Sequence, residues 1–286
     1  MRFPKTVTLL ILGLALALPA HAEDGDSGWS STAEFGLVMT SGNAESETIS
    51  FKDETKKSWD KSSLTFKLGA IRAETTTTAP TAFGTPGSFT VESNESTSLS
   101  AESYYFEGRF DREITEKFFW FAGTGWDRNR PSGINSRVTA FGGVGNIWRD
   151  DEKVSFRTDY ALSYTDEEFY PDTTLTNDYS GLRASWGYKH QFTESTTYFN
   201  DFVLDYGFDD SDNWRANMIN AVAVAINDKM ALKVSLQWLY NNLPPSDLIP
   251  LFDIAGPSPP AVQIDTVSVE KDELDTIFSA ALVINF

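Results

Sequence analysis

The chain has 286 residues, no cysteine, a formal net charge of −18 and 14% aromatic residues. The length bounds it to one or two domains, the missing cysteines exclude disulfides and thiolate metal sites, and the acidity argues against nucleic acid, which calls for a basic patch. Aromatics at this density beside 22% charged residues require either a large core or two membrane interfaces.

Arg2 and Lys5, the apolar run Val7–Leu18 and the small-residue site Ala20-His21-Ala22 predict a signal peptide over residues 1–22. Residues 23–286 then form the exported chain, more acidic still after losing Arg2 and Lys5. The leader's apolar run is too short for an anchor, and no later stretch approaches the ~20 apolar residues of a membrane helix. A membrane protein of this sequence must therefore be a closed barrel, because only helices and barrels satisfy every backbone polar group in lipid.

After a short acidic lead-in, Trp29–Thr40 alternates, with Trp29, Ala33, Phe35 and Leu37 on one side and Thr32, Glu34 and Gly36 on the other. Ser41–Ala44 is a turn. Thr48–Trp59 sets Ile49 and Phe51 against Lys52, Glu54 and Lys56, with a lower half polar on both sides. Asp60–Ser62 turns the chain into Leu64–Ala70. Glu74–Glu95, with its threonine run, two prolines and two glycines, predicts a long loop. Strand pattern resumes at Leu99–Phe110, turns at Asp111–Glu116, and continues through Phe118–Trp126, the loop Arg128–Asn135 and the glycine-rich Val138–Trp148.

Beyond the charged turn Arg149–Lys153 lies the clearest strand, in which Val154, Phe156, Tyr160, Leu162 and Tyr164 oppose Arg157, Asp159 and Ser163. An acidic loop is predicted at Asp166–Asn177. Leu182–Phe192, Tyr198–Phe208, Trp214–Ile226 and Leu232–Tyr240 alternate likewise, joined by the turns Thr193–Ser195 and Asn227–Lys229 and the acidic loop Asp209–Asp212. Asn241–Asp265 predicts a long proline-rich loop. The last strand, Leu274–Phe286, carries Phe278, Leu282, Ile284 and Phe286 on one face; such a chain-terminal strand closing on an aromatic residue resembles the assembly signal that bacterial barrel-assembly machinery reads.

Three patterns select a membrane barrel over a soluble β-protein. From Val154 onward, Lys, Arg and Asp fall on one parity, as expected where a cation facing mid-bilayer costs ~2–4 kcal/mol. Alternate connections are short (Asp60–Ser62, Asp111–Glu116, Arg149–Lys153, Thr193–Ser195, Asn227–Lys229), while Glu74–Glu95, Asp166–Asn177 and Asn241–Asp265 all fall at the other end. Aromatics cluster at both strand ends, as two interfacial girdles require. The expected fold is all-β: a single antiparallel transmembrane β-barrel of about 12 strands with up-and-down topology, in the outer membrane.

The stretch Trp29–Ile49 with Ser41-Gly42-Asn43, then Glu102–Gly108, Trp126–Asn129 and Gly142–Gly145, resembles the salt-induced outer-membrane protein family, whose function is unknown. The likeness spans residues 29–286, and the two long loops depart from it. It implies the fold and location, and a salt-response role from the family's name; it supplies no catalytic residues.

The sequence offers little enzyme chemistry. An outer-membrane phospholipase needs a serine activated by histidine; His21 leaves with the signal peptide, and His190 sits on the lipid-side parity beside Tyr188 and Phe192. The acidic clusters Asp166–Glu168 and Asp209–Asp212 match no full calcium-loop template, and Gly142–Gly145 lacks the lysine and helix of a phosphate loop. No cofactor or metal is expected, and the expected partners are outer-membrane lipid, lipopolysaccharide and the barrel-assembly machinery. The inward parity carries Lys52, Glu54, Lys56, Lys67, Glu107, Arg109, Arg157, Asp159, Arg183, Lys189, Asp201, Asp205, Arg215 and Lys233. These either line a narrow aqueous path or pair into a salt-bridged plug. The expected function is thus a non-enzymatic barrel, a narrow channel or an envelope-stress protein, with a phospholipase-like barrel or a soluble secreted β-protein as alternatives.

Overall fold

The computed structural model describes residues 28–40, 44–85, 88–130, 132–170, 173–244, 246–252, 263–270 and 273–286. The signal peptide and the turn at Ser41-Gly42-Asn43 lie outside these residues. The strands are β1 (Trp29–Thr40), β2 (Ala44–Ser58), β3 (Ser62–Thr85), β4 (Ser88–Thr115), β5 (Phe118–Asn129), β6 (Ile134–Asp150), β7 (Val154–Phe169), β8 (Thr176–Gln191), β9 (Thr196–Gly207), β10 (Trp214–Asn227), β11 (Met230–Asn241), β12 (Ser246–Phe252), β13 (Gln263–Glu270) and β14 (Leu274–Asn285). Strands β1–β11 and β14 close into one antiparallel barrel, each beside its sequence neighbour, with β14 joining β11 to β1; β12 and β13 pair separately. Gly28, the first described residue of this part of the chain, and Phe286 lie at the short-turn end of the barrel.

The distribution of side chains is that of a water-soluble protein turned inside out. Leu37 is 63% exposed, Leu162 65% and Phe278 70%, and large apolar residues are exposed on every barrel strand but β3, where Leu64, Phe66 and Leu68 are half-buried, whereas Asp159 and Glu167 are buried inside. A soluble domain does not carry an apolar belt around its whole circumference, but a sheet surrounded by hydrocarbon must. The soluble secreted reading is therefore set aside. The inside is packed on one side by Phe119, Phe121, Phe141 and Ala161, with Ile147 against them.

Three predicted loops are strands. Glu74–Glu95 lies within a long hairpin in which β3 and β4 pair as far as Thr85↔Ser88. The run Thr75–Thr78 is β-branched and suits a strand. Pro80 lies beyond the last β2–β3 pair, Ala44↔Thr77, on a strand with one open edge, where a missing amide hydrogen is tolerated. The acidic segment after Tyr164 continues β7 to Phe169, leaving a connection only from Tyr170 to Leu175. The proline-rich segment holds the β12–β13 hairpin, with Pro250 opposite Thr266. The turn predicted at Asp111–Glu116 shrinks similarly, to Glu116 and Lys117. In each case the strand continues where the two-residue alternation of apolar with polar residues has left the sequence, so the pattern that marks a membrane strand gives no sign of it.

Candidate functional site

Side chains of strands that are not neighbours in the ring meet only on its concave side. Arg109 Nη1 of β4 lies 2.6 Å from Asp159 Oδ2 of β7, and Arg215 Nη2 of β10 lies 2.8 Å from Glu167 Oε1 of β7. Lys233 Nζ of β11 reaches past β14 to Glu34 Oε1 of β1 at 2.6 Å. These contacts define the lumenal face as the odd positions of β7, β10 and β11 and the even positions of β1; strand pairing carries the same alternation around the sheet. All fourteen charged residues singled out in the sequence sit at these positions.

They are not equivalent. On the β4–β8 side the lumen is filled. Arg109 donates Nε and Nη2 to Asp111 at 2.7–3.1 Å as well as Nη1 to Asp159. Arg157 Nη2 lies 3.0 Å from Asp159 and 3.5 Å from Asp111, completing a square of two guanidiniums and two carboxylates. The side chains of Arg109, Asp111 and Asp159 are only 15%, 15% and 8% exposed. The rings beneath contribute cation–π attraction, with Arg109 3.8 Å above Phe121 and Arg157 5.0 Å above Phe119. Two glycines make room: a Cβ at Gly145 would sit 2.6 Å from Asp159 Oδ1, and one at Gly123 would sit 2.6 Å from Phe141 Cζ.

Toward β9 and the long-loop rim the pattern repeats. Arg183 grips Asp205 with two parallel hydrogen bonds of 2.7 and 3.0 Å and covers Phe141 at 4.8 Å. Arg137 and Asp127 form the same fork at 2.9 Å twice, and Arg215 donates to Tyr179 Oη at 2.6 Å as well as to Glu167. Such bidentate pairs fix geometry as well as charge.

On the β2–β3 side the lumen is open. Lys67 and Glu54 pair at 3.5 Å, yet keep 46% and 54% of their side-chain exposure. Lys189 and Asp201 are exposed, and Lys52 and Lys56 are half-buried. Lys67 stands between Glu54 of β2 and Glu107 of β4, its register partners on either side.

Sequence reading missed Glu34, Asp111, Asp127, Arg137 and Glu167, each an ion-pair partner, and the inward phenylalanines. Parity alone was enough to find Glu34, and Phe119 and Phe121 share their face with Gly123 and Gly125. Asp111 and Glu167 lie in segments read as turn and loop, where parity was not applied. Among the described residues no group of three or more His, Cys, Asp or Glu could hold a metal ion.

Compared with known proteins, residues 33–250 match the family described as Protein of unknown function, DUF481. The chain belongs to the DUF481 family. The resemblance read from Trp29–Ile49 and the later motifs is thereby borne out. This DUF481 member is 26% identical over 146 residues to the uncharacterized protein YdiY of Escherichia coli K12, an alignment covering 51% of this chain and 56% of YdiY; the chain thus spans little more than half the length of that relative. Its fold is similar to the NanC porin (7% identity, TM-score 0.44, covering 90% of this chain and 98% of that one). It is also similar to the translocator domain of the autotransporter NalP from Neisseria meningitidis (8%, 0.42, 92% and 90%) and to the anion-selective porin of Comamonas acidovorans (8%, 0.38, 90% and 96%). The assignment as a membrane barrel stands on this chain's own closed sheet and apolar exterior.

Proposed function

We propose that this DUF481 barrel resides in the outer membrane, exported by residues 1–22, as a non-enzymatic protein whose half-filled lumen is a narrow aqueous path for small solutes. The observation that carries this reading is the contrast between the two sides of the interior. Arg109, Asp111 and Asp159 are almost sealed, while Lys67 and Glu54, at the same inward parity, remain half exposed. Twelve strands lie between the eight that leave a filled interior and the sixteen or more that leave an open channel, and filling one side narrows what remains. The apolar belt would contact lipid and lipopolysaccharide, and the face bearing Phe278, Leu282, Ile284 and Phe286 would be read by the barrel-assembly machinery. A salt-response role would then be a matter of what passes, or stops passing, this lumen.

A hydrolase reading has less to support it. His190 Nδ1 lies 3.1 Å from Tyr188 Oη and its ring packs 4.5 Å from Phe192 on the outer face, an aromatic cluster of the kind found at membrane interfaces. Detergent-extracted protein should shift on gels between unboiled and boiled samples, and the folded form should give small, discrete conductance steps in planar bilayers. Folded, heat-shifting protein that conducts nothing would overturn the passage.

A further inference from the structure

The ring closes at one weak seam. Strand β1 pairs with β2 along its whole length, Trp29–Thr40, and β14 pairs with β11 from Leu274 to Ile284. Between β1 and β14 the ladder covers only Thr32–Phe35 with Leu282–Asn285, extended by Ser31 and Phe286, which exchange both backbone hydrogen bonds. Among the described residues no ladder joins Gly36–Thr40 to Leu274–Ala281, although the unpaired segments lie on facing edges.

That gap is at bilayer depth. Leu274 is paired with Tyr240, whose ring stacks on Trp214 at 4.8 Å in the aromatic row at the long-loop end. Thr276, Phe278 and Ala280, opposite Trp238, Leu236 and Val234, lie below that row, where hydrocarbon surrounds the wall. An unsatisfied backbone group in hydrocarbon costs several kcal/mol, so edges left unpaired here need water from the lumen or a guest. The inward side of the gap is small and polar: Ser279 and Ser235 share a 2.6 Å hydroxyl contact, above the level where Gly36 and the Ala280 carbonyl still approach each other, a Cβ on Gly36 lying 3.1 Å from that oxygen. The outward side is greasy, with Leu37 63% and Phe278 70% exposed. The gap's lower edge carries the Lys233–Glu34 pair, with Lys52 opposite Glu34 in the β1–β2 register. Across the ring, Ser132 Oγ between β5 and β6 donates to Asp275 of β14, beside the upper end of the gap.

We propose that the barrel opens sideways between β1 and β14 into the outer leaflet, and that this portal admits amphipathic molecules with a single alkyl chain, the chain toward Leu37 and Phe278 and the polar end toward Ser279 and the Lys233–Glu34 pair. This rests on the water-accessible lumen proposed above. It places the exit of that lumen in the membrane plane.

Single thiols in this cysteine-free chain test it. Ser279→Cys faces the gap from inside, and Lys67→Cys faces the open lumen on β3, two strands from the seam. In phosphatidylcholine vesicles, a dodecyl maleimide confined to the bilayer should label Ser279→Cys at least about ten-fold faster than Lys67→Cys, since thiol reaction follows access. Equal labelling overturns the portal. A charged maleimide should label both thiols from water; if it labels neither, the aqueous lumen itself fails, a distinct outcome. Amide hydrogen exchange of the unaltered protein gives a second measure. Leu37, Phe278 and Ala280 should exchange at least about ten-fold faster than Phe35 and Leu282, as unpaired edges do, and equal protection would show the seam to be zipped.

Discussion

Arg109 is the side chain on which the filled side of the lumen converges. It holds Asp111 and Asp159 at once and lies 3.8 Å above the ring of Phe121. Its removal leaves two largely buried carboxylates with only Arg157, itself 39% exposed. Breaking such a pair from one side costs about 3–5 kcal/mol, so Arg109→Ala should lower the urea midpoint of the refolded barrel by a corresponding amount. Arg72, paired with Glu74 where both side chains are about half exposed, is the contrast; Arg72→Ala should leave the urea midpoint nearly unchanged. Equal losses would mean that the interior square is as solvated as the outer wall. Gly145→Ala probes the same site sterically, because its methyl must displace Asp159 or Phe119, and overpacking of this kind costs about 1–3 kcal/mol.

At the scale of elements, the short turns are built for stability. In the β6–β7 turn, Asp151 accepts from Arg149 Nε at 2.5 Å and from the backbone N–H groups of Val154 and Lys153 at 2.8 and 3.0 Å. The Arg149 guanidinium, then those amides, pull its carboxyl from the ordinary 3.8 down to about 2. A depressed carboxyl contributes stability that is full above 3.8 and lost as pH falls through about 2. A carboxyl-carbon NMR titration should show that value and should return it toward the ordinary one in Arg149→Ala; an unshifted titration would mean the turn is not formed. At the chain end, Phe286 donates to Ser31 at 2.9 Å and accepts in return at 3.4 Å, so deleting Phe286 should shorten the seam and reduce the heat-shifted fraction in envelopes. These turns, the strand count and the lumenal parity were legible in the sequence because each strand crossing lipid must alternate. The β3–β4 hairpin, the outer third of β7 and the β12–β13 pair were not, because their sequences are polar or proline-containing and lack that alternation; in β7 the buried side is itself polar, Thr165 and Glu167. The seam was not legible either. Leu37 and Phe278 look like any lipid-facing residues, and only the register shows that no ladder joins their strands at this level.

For the molecule as a whole, the division of the lumen decides what any passage would favour. The filled side neutralises itself: Arg109 and Arg157 against Asp111 and Asp159, Arg183 against Asp205, Arg137 against Asp127. Fixed charge that a passing ion could feel is thus concentrated on the open side, where Lys67 stands beside Glu54 with Glu107 and Asp201 in electrostatic range. Lys67→Glu would set four acids around one level of the path. In water-like surroundings a unit charge about 7 Å away contributes about 0.6 kcal/mol, halved by screening in 0.1 M salt. Reversing it favours a cation and disfavours an anion by similar amounts, so the ratio of potassium to chloride permeability should rise several-fold in reversal-potential measurements. Glu54→Lys should move the ratio the other way. Replacing Asp127 by Asn and Arg137 by Gln together, on the filled side, should leave it within about two-fold, because the two charges already cancel in a bidentate pair. Ions that respond equally to all three changes would be crossing somewhere other than the open side, and the contrast between Lys67 and Arg109 would lose its functional meaning.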